Sequence, residues 1–257
     1  MERICDDLRA ELADLDAIVA GLDETEWDRP TPAEGWTVRD QISHLWFFDQ
    51  RAVMALTDPD AFAADMEHLL AGGGTDLSVE PGRSMSGTAL LDSWRGDREA
   101  LLVLARGVDP SSRVPWYGPA MGARSFITAR LMETWAHGQD VADALGVRRT
   151  PTARLQHVAH IGVRARPFSY AIRQKAVPEE PVYVALDAPD GSLWEFGEPA
   201  ADSVRGDALD FCLVVTQRRH PADTGLVVTG PAATDWISIA QAFAGAPGNG
   251  RRPGQFA

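Results

Sequence analysis

The sequence predicts an α plus α+β protein: an antiparallel helix bundle over residues 1–176, a small α+β domain over residues 177–247, and a flexible tail at 248–257. Three observations predict it. Apolar residues recur with a 3.6-residue period through the first half. After Lys175 the texture changes to prolines and short β-branched runs. There, Asp190-Gly191 joins two such runs in the manner of a hairpin turn.

In chain order, Ile4, Leu8, Leu12, Leu15, Val19 and Leu22 mark one face of a first helix, and Pro30, Pro32 and Gly35 break the chain after it. Thr37 is a plausible N-cap, with Asp40 three residues on, for a second helix ending near Thr57. A short helical piece at 61–70 leads into the loop Gly72-Gly73-Gly74. Leu90, Leu91, Trp94, Leu101 and Leu102 give a third long helix over 86–106, and the prolines and glycine of 114–119 predict a loop. A fourth helix runs over 125–145 and stops at Gly146. Thr150-Pro151 starts a fifth, as N-cap and first helical position, that continues towards Arg173. Beyond the linker prolines Pro178 and Pro181, strands are predicted at 182–186, 193–196 and 226–228, and helices at 207–217 and 234–243. Short connections between the early helices are those of an antiparallel bundle.

Composition limits the function classes. The chain has 257 residues, 45% hydrophobic and 24% charged, with a net charge of -13. That balance speaks against a nucleic-acid binder, which needs clustered Lys and Arg. No run of about 18 apolar residues suggests a membrane span. The start, Met1-Glu2-Arg3 turning acidic at Asp6 and Asp7, is unlike a signal peptide, so a cytoplasmic protein is expected. Cys5 and Cys212 stand far apart in apolar surroundings and read as buried small hydrophobes without a disulfide.

Six histidines are few enough to weigh singly. Glu133 and His137 lie four apart in the fourth helix, on one face, where they either chelate one metal ion or make an ordinary i,i+4 pair. His44 stands mid-helix beside Ile42, Leu45 and Trp46, as a satisfied core histidine or as a ligand. If the second and fourth helices face each other, all three converge. Two histidines and a carboxylate are a catalytic zinc set with open positions, and they equally suit Fe(II). Asp140 is either an acceptor fixing a ligand tautomer or a surface carboxylate. Arg130 is a candidate for an anionic substrate or for pairing with Glu133. His157, His160 and Arg164 share a helical face. Trp46, Phe47, Phe48, Trp94, Trp116 and Trp135 are core residues or pocket lining, with Trp116 and Tyr117 the better pocket candidates.

These residues carry a resemblance. Gly35-Trp36-Thr37-Val38-Arg39-Asp40 followed by His44-Leu45 resembles the second-helix signature of the DinB-like superfamily, and more closely the mycothiol-dependent maleylpyruvate isomerase N-terminal domain. Glu133-Thr134-Trp135-Ala136-His137-Gly138-Gln139-Asp140-Val141 is similar to that family's second motif, and His157-Val158-Ala159-His160-Ile161 to the helix that follows. Asp190-Gly191 before Trp194, Gly206-Asp207, and Arg218-Arg219 before a strand closed by Gly230 are similar to its small sterol-carrier-like C-terminal domain. The resemblance implies metal ligands at His44, Glu133 and His137, zinc as the metal with Ni2+ or Fe2+ as alternatives, and mycothiol as cosubstrate. It implies a transferase or isomerase acting on an electrophilic small molecule; a monomer or homodimer is expected, and the charge and hydropathy give no nucleic-acid or membrane partner. A metal-containing binding protein and a metal-assisted hydrolase are the other readings. Arg218 and Arg219 match a position where the family presents arginine to the active site. The preceding Gln217 departs from the usual glycine and puts that role in doubt.

Overall fold

The computed structural model describes residues 1–72 and 77–256. By its internal contacts the chain forms two compact units, Met1–Arg149 and Thr150–Ala257.

In the first unit α1 (Glu2–Val19) is followed by the short α2 (Glu24–Trp27) and then by α3 (Val38–Thr57). The start of α3 is the predicted one. Thr37 caps it, and Asp40 closes a capping box with the Thr37 backbone, satisfying two end donors reciprocally. Helix α2 was absent from the sequence reading. Its own capping box (Asp23 with Glu26) is too short to register as a period. It is held to α3 by Arg39, whose guanidinium donates to Glu24 at 2.7 Å and to Asp28 at 2.9 Å.

Helix α4 (Pro59–Gly72) covers the predicted helical piece; Gly73 and Gly74 lie outside the described residues. The single turn α5 (Glu80–Arg83) precedes α6 (Gly87–Gly107), which Ser86 caps. The segment predicted as a loop is a hairpin, β1 (Arg113–Trp116) and β2 (Gly118–Gly122), with Val114 opposite Met121. Proline and glycine are tolerated there because every other backbone donor of a two-stranded ribbon faces away from the partner strand, and Gly118 takes φ +111° at the turn. Helix α7 (Ala123–Leu145) ends at Gly146 in the left-handed region, as predicted. Helices α1, α7, α3 and α6 pack in a ring, each on the next, around a core that includes Leu15, Leu45, Leu90, Trp94 and Leu131.

The second unit opens with α8 (Leu155–Arg164) and α9 (Arg166–Ala171). One helix was predicted from Thr150; instead 150–154 is irregular, and Pro167 at the start of α9 divides the remainder. The sequence reading also assigned this stretch to the bundle, with the boundary at 176. In the structure α8 packs on α10 (Ala208–Val215) within the second unit: a β-carbon at Gly162 would lie 2.6 Å from Val215 Cγ2. The sheet runs β4-β3-β5-β6, from β3 (Val182–Asp187), β4 (Leu193–Phe196), β5 (Asp202–Asp207) and β6 (Val227–Thr229). The predicted hairpin pairs Leu186 with Trp194, whereas β5, unpredicted because its run carries Asp, Arg and Gly, lies parallel to β3. Helix α11 (Pro231–Ile239) completes the unit. Residues 248–256, predicted as a loose tail, are bonded into it: Arg173 donates to Gly248 O at 2.9 Å and Gly254 N to Asp223 at 2.7 Å. Among the described residues no helix is long and apolar enough to cross a membrane.

Candidate metal centre

His44 projects from the middle of α3, and Glu133 and His137 from adjacent turns of α7. The two helices are fastened together one turn further along by a buried ion pair: Arg130 donates to Asp49 Oδ1 through Nη2 at 2.8 Å and Nε at 3.2 Å. Asp49 also accepts from Trp94 Nε1 at 3.1 Å. Burial pushes the Asp49 carboxyl up, and the Arg130 charge opposes that shift. Arg130 is therefore a fastening between helices, with the buried Asp49 carboxylate as its partner.

The donor atoms of His44, Glu133 and His137 all lie within 4.8 Å of one another, the one such group of three among the described residues. His137 Nε2 is 3.3 Å from Glu133 Oε2. Two donors each about 2.1 Å from one tetrahedral ion stand about 3.4 Å apart, so the group fits a divalent cation. Both histidines are buried, and each spends Nδ1 on a neighbour, which leaves Nε2 as the ligating nitrogen. His137 Nδ1 is 2.5 Å from Gln41 Oε1, and His44 Nδ1 is 2.8 Å from Ser78 Oγ.

The Gln41 amide is oriented in turn. Its Nε2 donates to Thr31 Oγ1 at 2.9 Å, and that hydroxyl donates to Trp36 O at 2.9 Å. With Nε2 so engaged, Gln41 Oε1 is the acceptor and His137 Nδ1 carries the proton. This is the tautomer role for which Asp140 was a candidate. Asp140 is buried one turn beyond His137, and Gln41 is the Nδ1 partner. Such outer partners tune affinity by about 10–100-fold. Gln41→Leu is expected to weaken metal binding by that factor with the fold intact, measured by competition with a chelating dye.

Ser78 is positioned by close backbone approach. Ser43 Oγ donates to Ser78 O at 2.8 Å and accepts from Gly82 N at 3.0 Å. A β-carbon at Gly82 would lie 2.5 Å from Ser43 Cβ, both on packed backbone. Gly82→Ala is expected to push α5 off α3, costing about 1–3 kcal/mol and displacing Ser78 from His44. The check is a lower melting temperature together with weaker metal binding.

Aromatic rings wall the site. Trp36 lies 5.1 Å from the His44 ring and stacks on His137 at 6.0 Å, and Phe48 is 4.7 Å from His44. Gly35, at φ +77°, turns the chain so that Trp36 faces the histidines, and the Pro30–Thr37 bridge closes that loop. Behind Phe48 stand the two predicted pocket residues: Tyr117 at 5.5 Å from Phe48, and Trp116 stacked on Phe62 at 5.5 Å. Burial pushes the Tyr117 hydroxyl up to about 12, so it stays protonated. Of the remaining aromatic candidates, Trp94 is fully buried core, Trp46 donates to Asp97 at 2.6 Å, and Trp135 lies under the Arg149 guanidinium.

The other candidates lie in the second unit. Arg218 is buried and donates to Thr216 O at 2.6 Å, and the Arg219 guanidinium lies 3.8 Å above the Phe256 ring. His160, its pKa lowered by burial, sits 6.5 Å from Phe196. Cys5 and Cys212 are buried, and burial raises both thiols, so neither is an activated nucleophile.

Gln41 and Ser78 escaped the sequence reading. A buried uncharged amide three residues before His44, on an apolar face, was the available signal for the first; Ser78 offered none.

Two uncharacterized proteins, from two strains of Mycobacterium tuberculosis, are each 46% identical over 248 residues, spanning 95% of this chain and 96% of theirs. The crystal structure of the mycothiol-dependent maleylpyruvate isomerase superposes with a TM-score of 0.58 at 18% identity, covering 85% of this chain and 89% of that one; a mutant of that enzyme gives 0.57 at 17%. The fold is shared at that distance. The family profile described as the mycothiol maleylpyruvate isomerase N-terminal domain matches residues 8–142, the stretch that holds every residue of the candidate metal centre, and the chain belongs to that family.

Proposed function

We propose that the chain is a metal-dependent isomerase or transferase that uses a low-molecular-weight thiol, mycothiol, on an electrophilic small molecule. The observation that carries this is the convergence of His44, Glu133 and His137 within 4.8 Å, a group of three possible protein ligands among the described residues. A divalent ion held there, zinc in preference to nickel or iron(II), supplies the Lewis acidity that keeps a thiol as thiolate near neutral pH.

The chain's own residues do the rest. Gln41 and Ser78 fix the two imidazoles with Nε2 turned to the site. Trp36 and Phe48 lay flat apolar surface beside the histidines, which favours a planar, unsaturated electrophile and keeps bulk water from the reacting thiol. With both cysteines buried and Tyr117 protonated, the nucleophile comes with the cosubstrate. For residues 177–247 the parallel β3–β5 pair with its hairpin strand supports the sterol-carrier-like reading.

The test is to incubate metal-loaded protein with mycothiol and a panel of activated alkenes and epoxides, and to follow thiol adducts or isomerised products by mass spectrometry. Metal-dependent turnover that requires the thiol is expected. Turnover without thiol would instead mark a hydrolase, and binding without turnover a ligand-binding protein.

A further inference from the structure

The chain has a single asparagine, Asn249, and a glycine follows it. The pair lies in the segment that packs on the second unit after α11, between two anchored points. On one side Gly248 O accepts from Arg173 Nη2 at 2.9 Å, and Gly248 N donates to Gln241 Oε1 at 3.0 Å. On the other Arg252 N donates to Gln255 Oε1 at 3.2 Å, and Gly254 N to Asp223 Oδ1 at 2.7 Å. Between these anchors Asn249 and Gly250 are both exposed. Among the described residues neither the Asn249 side-chain amide nor Gly250 N has a hydrogen-bond partner.

Asparagine is a thermolabile residue because its side-chain amide carbon lies within reach of the next main-chain nitrogen. Ring closure needs that nitrogen released from any acceptor, the side chain at liberty to turn, and no β-carbon crowding the attack. Gly250 supplies the first and the last, and its φ of +65° is one a β-carbon would disfavour. Asp190-Gly191 is the contrast. There Gly191 N donates to Ala188 O at 2.9 Å, and Asp190 Oδ1 accepts from Ser192 N at 3.0 Å and from Ser192 Oγ at 2.6 Å, so both reacting groups are engaged.

We propose that Asn249 is a modification site, deamidated through a succinimide. The Gly250 nitrogen bonds to Asn249 Cγ, the Cγ–Nδ2 bond breaks, and ammonia leaves with the proton that the nitrogen gave up. Water then opens the five-membered ring. Attack at Cγ yields an aspartyl residue, and attack at the main-chain carbonyl carbon yields an isoaspartyl one. Either product carries a carboxylate where a neutral amide stood. The isoaspartyl form also lengthens the main chain by one methylene between the anchors at Gly248 and Arg252.

The experiment incubates the full metal-loaded chain in mildly alkaline buffer beside a free peptide of residues 246–253. Trypsin, cutting after Arg219 and Arg251, releases the 220–251 fragment, and a sample digested at zero time sets the background. A gain of one mass unit is expected, placed at position 249 by fragmentation, as a mixture of isoaspartyl and aspartyl forms. Its rate should lie within tenfold of the free peptide's, and Gly250→Ala should slow it at least tenfold. The proposal is overturned by no gain while the peptide converts, or by a rate in the folded chain more than tenfold below the peptide's. Aspartyl product alone, the mark of direct amide hydrolysis, would overturn it too, as would unchanged conversion in Gly250→Ala. No outcome depends on metal or thiol chemistry, so its failure is distinguishable from failure of the proposed activity.

Discussion

His44→Ala is expected to abolish stoichiometric metal binding. Protein purified with zinc should carry about one equivalent per chain, and the variant background levels, by elemental analysis. Removing an outer partner costs about 10–100-fold in affinity; removing one of three direct ligands should exceed that. The same loss has a thermal signature. Metal that binds the folded state alone stabilises it by RT ln(1 + [L]/Kd), about 4 kcal/mol at a thousandfold excess over Kd. The parent protein should therefore melt at a higher temperature as zinc is added, and His44→Ala should melt at one temperature throughout. A variant that keeps its full equivalent of metal and its zinc-dependent melting would refute the ligand assignment.

Arg130→Met is expected to be the most destabilising single change near the site, while leaving the metal ligands in place. Arg130 and Asp49 are each about 95% buried at their side chains and 2.8 Å apart. Breaking such a pair by removing one member costs about 3–5 kcal/mol, because the other charge is left uncompensated. In a unit of this size that corresponds to a fall in melting temperature of roughly 10 °C. Without Arg130, burial outweighs what is left to hold the Asp49 charge, the Trp94 hydrogen bond and the more distant Arg98, so the carboxyl should take up a proton on folding and the variant should recover stability as pH falls. The double variant Asp49→Asn with Arg130→Met should regain much of the loss, since no charge is then stranded. A substrate-binding arginine would behave differently, raising KM at an unchanged melting temperature.

The legible part of the site was the part written in local spacing. Glu133 and His137 share a helix face by their four-residue separation, and the Thr37 cap with Asp40 fixed where α3 begins and hence which face His44 occupies. The motif residues around them divide once the structure is seen: Thr37 and Asp40 cap, Arg39 ties down α2, Gly35 turns the chain, and Trp36 and His44 face the site. What was not legible depends on distant partners. Ser78 reaches His44 across 34 residues, and Gln41 reaches His137 across 96. Arg130 looked like substrate chemistry because its partner, Asp49, lies 81 residues away. The β1–β2 ribbon and β5 were missed because ladder bonding stabilised runs with little intrinsic strand preference. The division after Arg149 follows from the packing of α8 on α10, which helical periodicity does not register.

Gln217 has a consequence beyond its own turn. Its backbone sits at φ +61°, where a β-carbon costs about 1–2 kcal/mol that glycine would avoid. The side chain returns something glycine lacks: Nε2 donates to Ala240 O at 3.1 Å, and the amide lies beside Gly248. The turn after α10 is thereby tethered to the end of α11 and to the segment that carries Asn249. Gln217→Gly is expected to keep the turn and lose the tether. Exchange at this one position would thus set how firmly the C-terminal segment is held, independently of whether the helix before it forms.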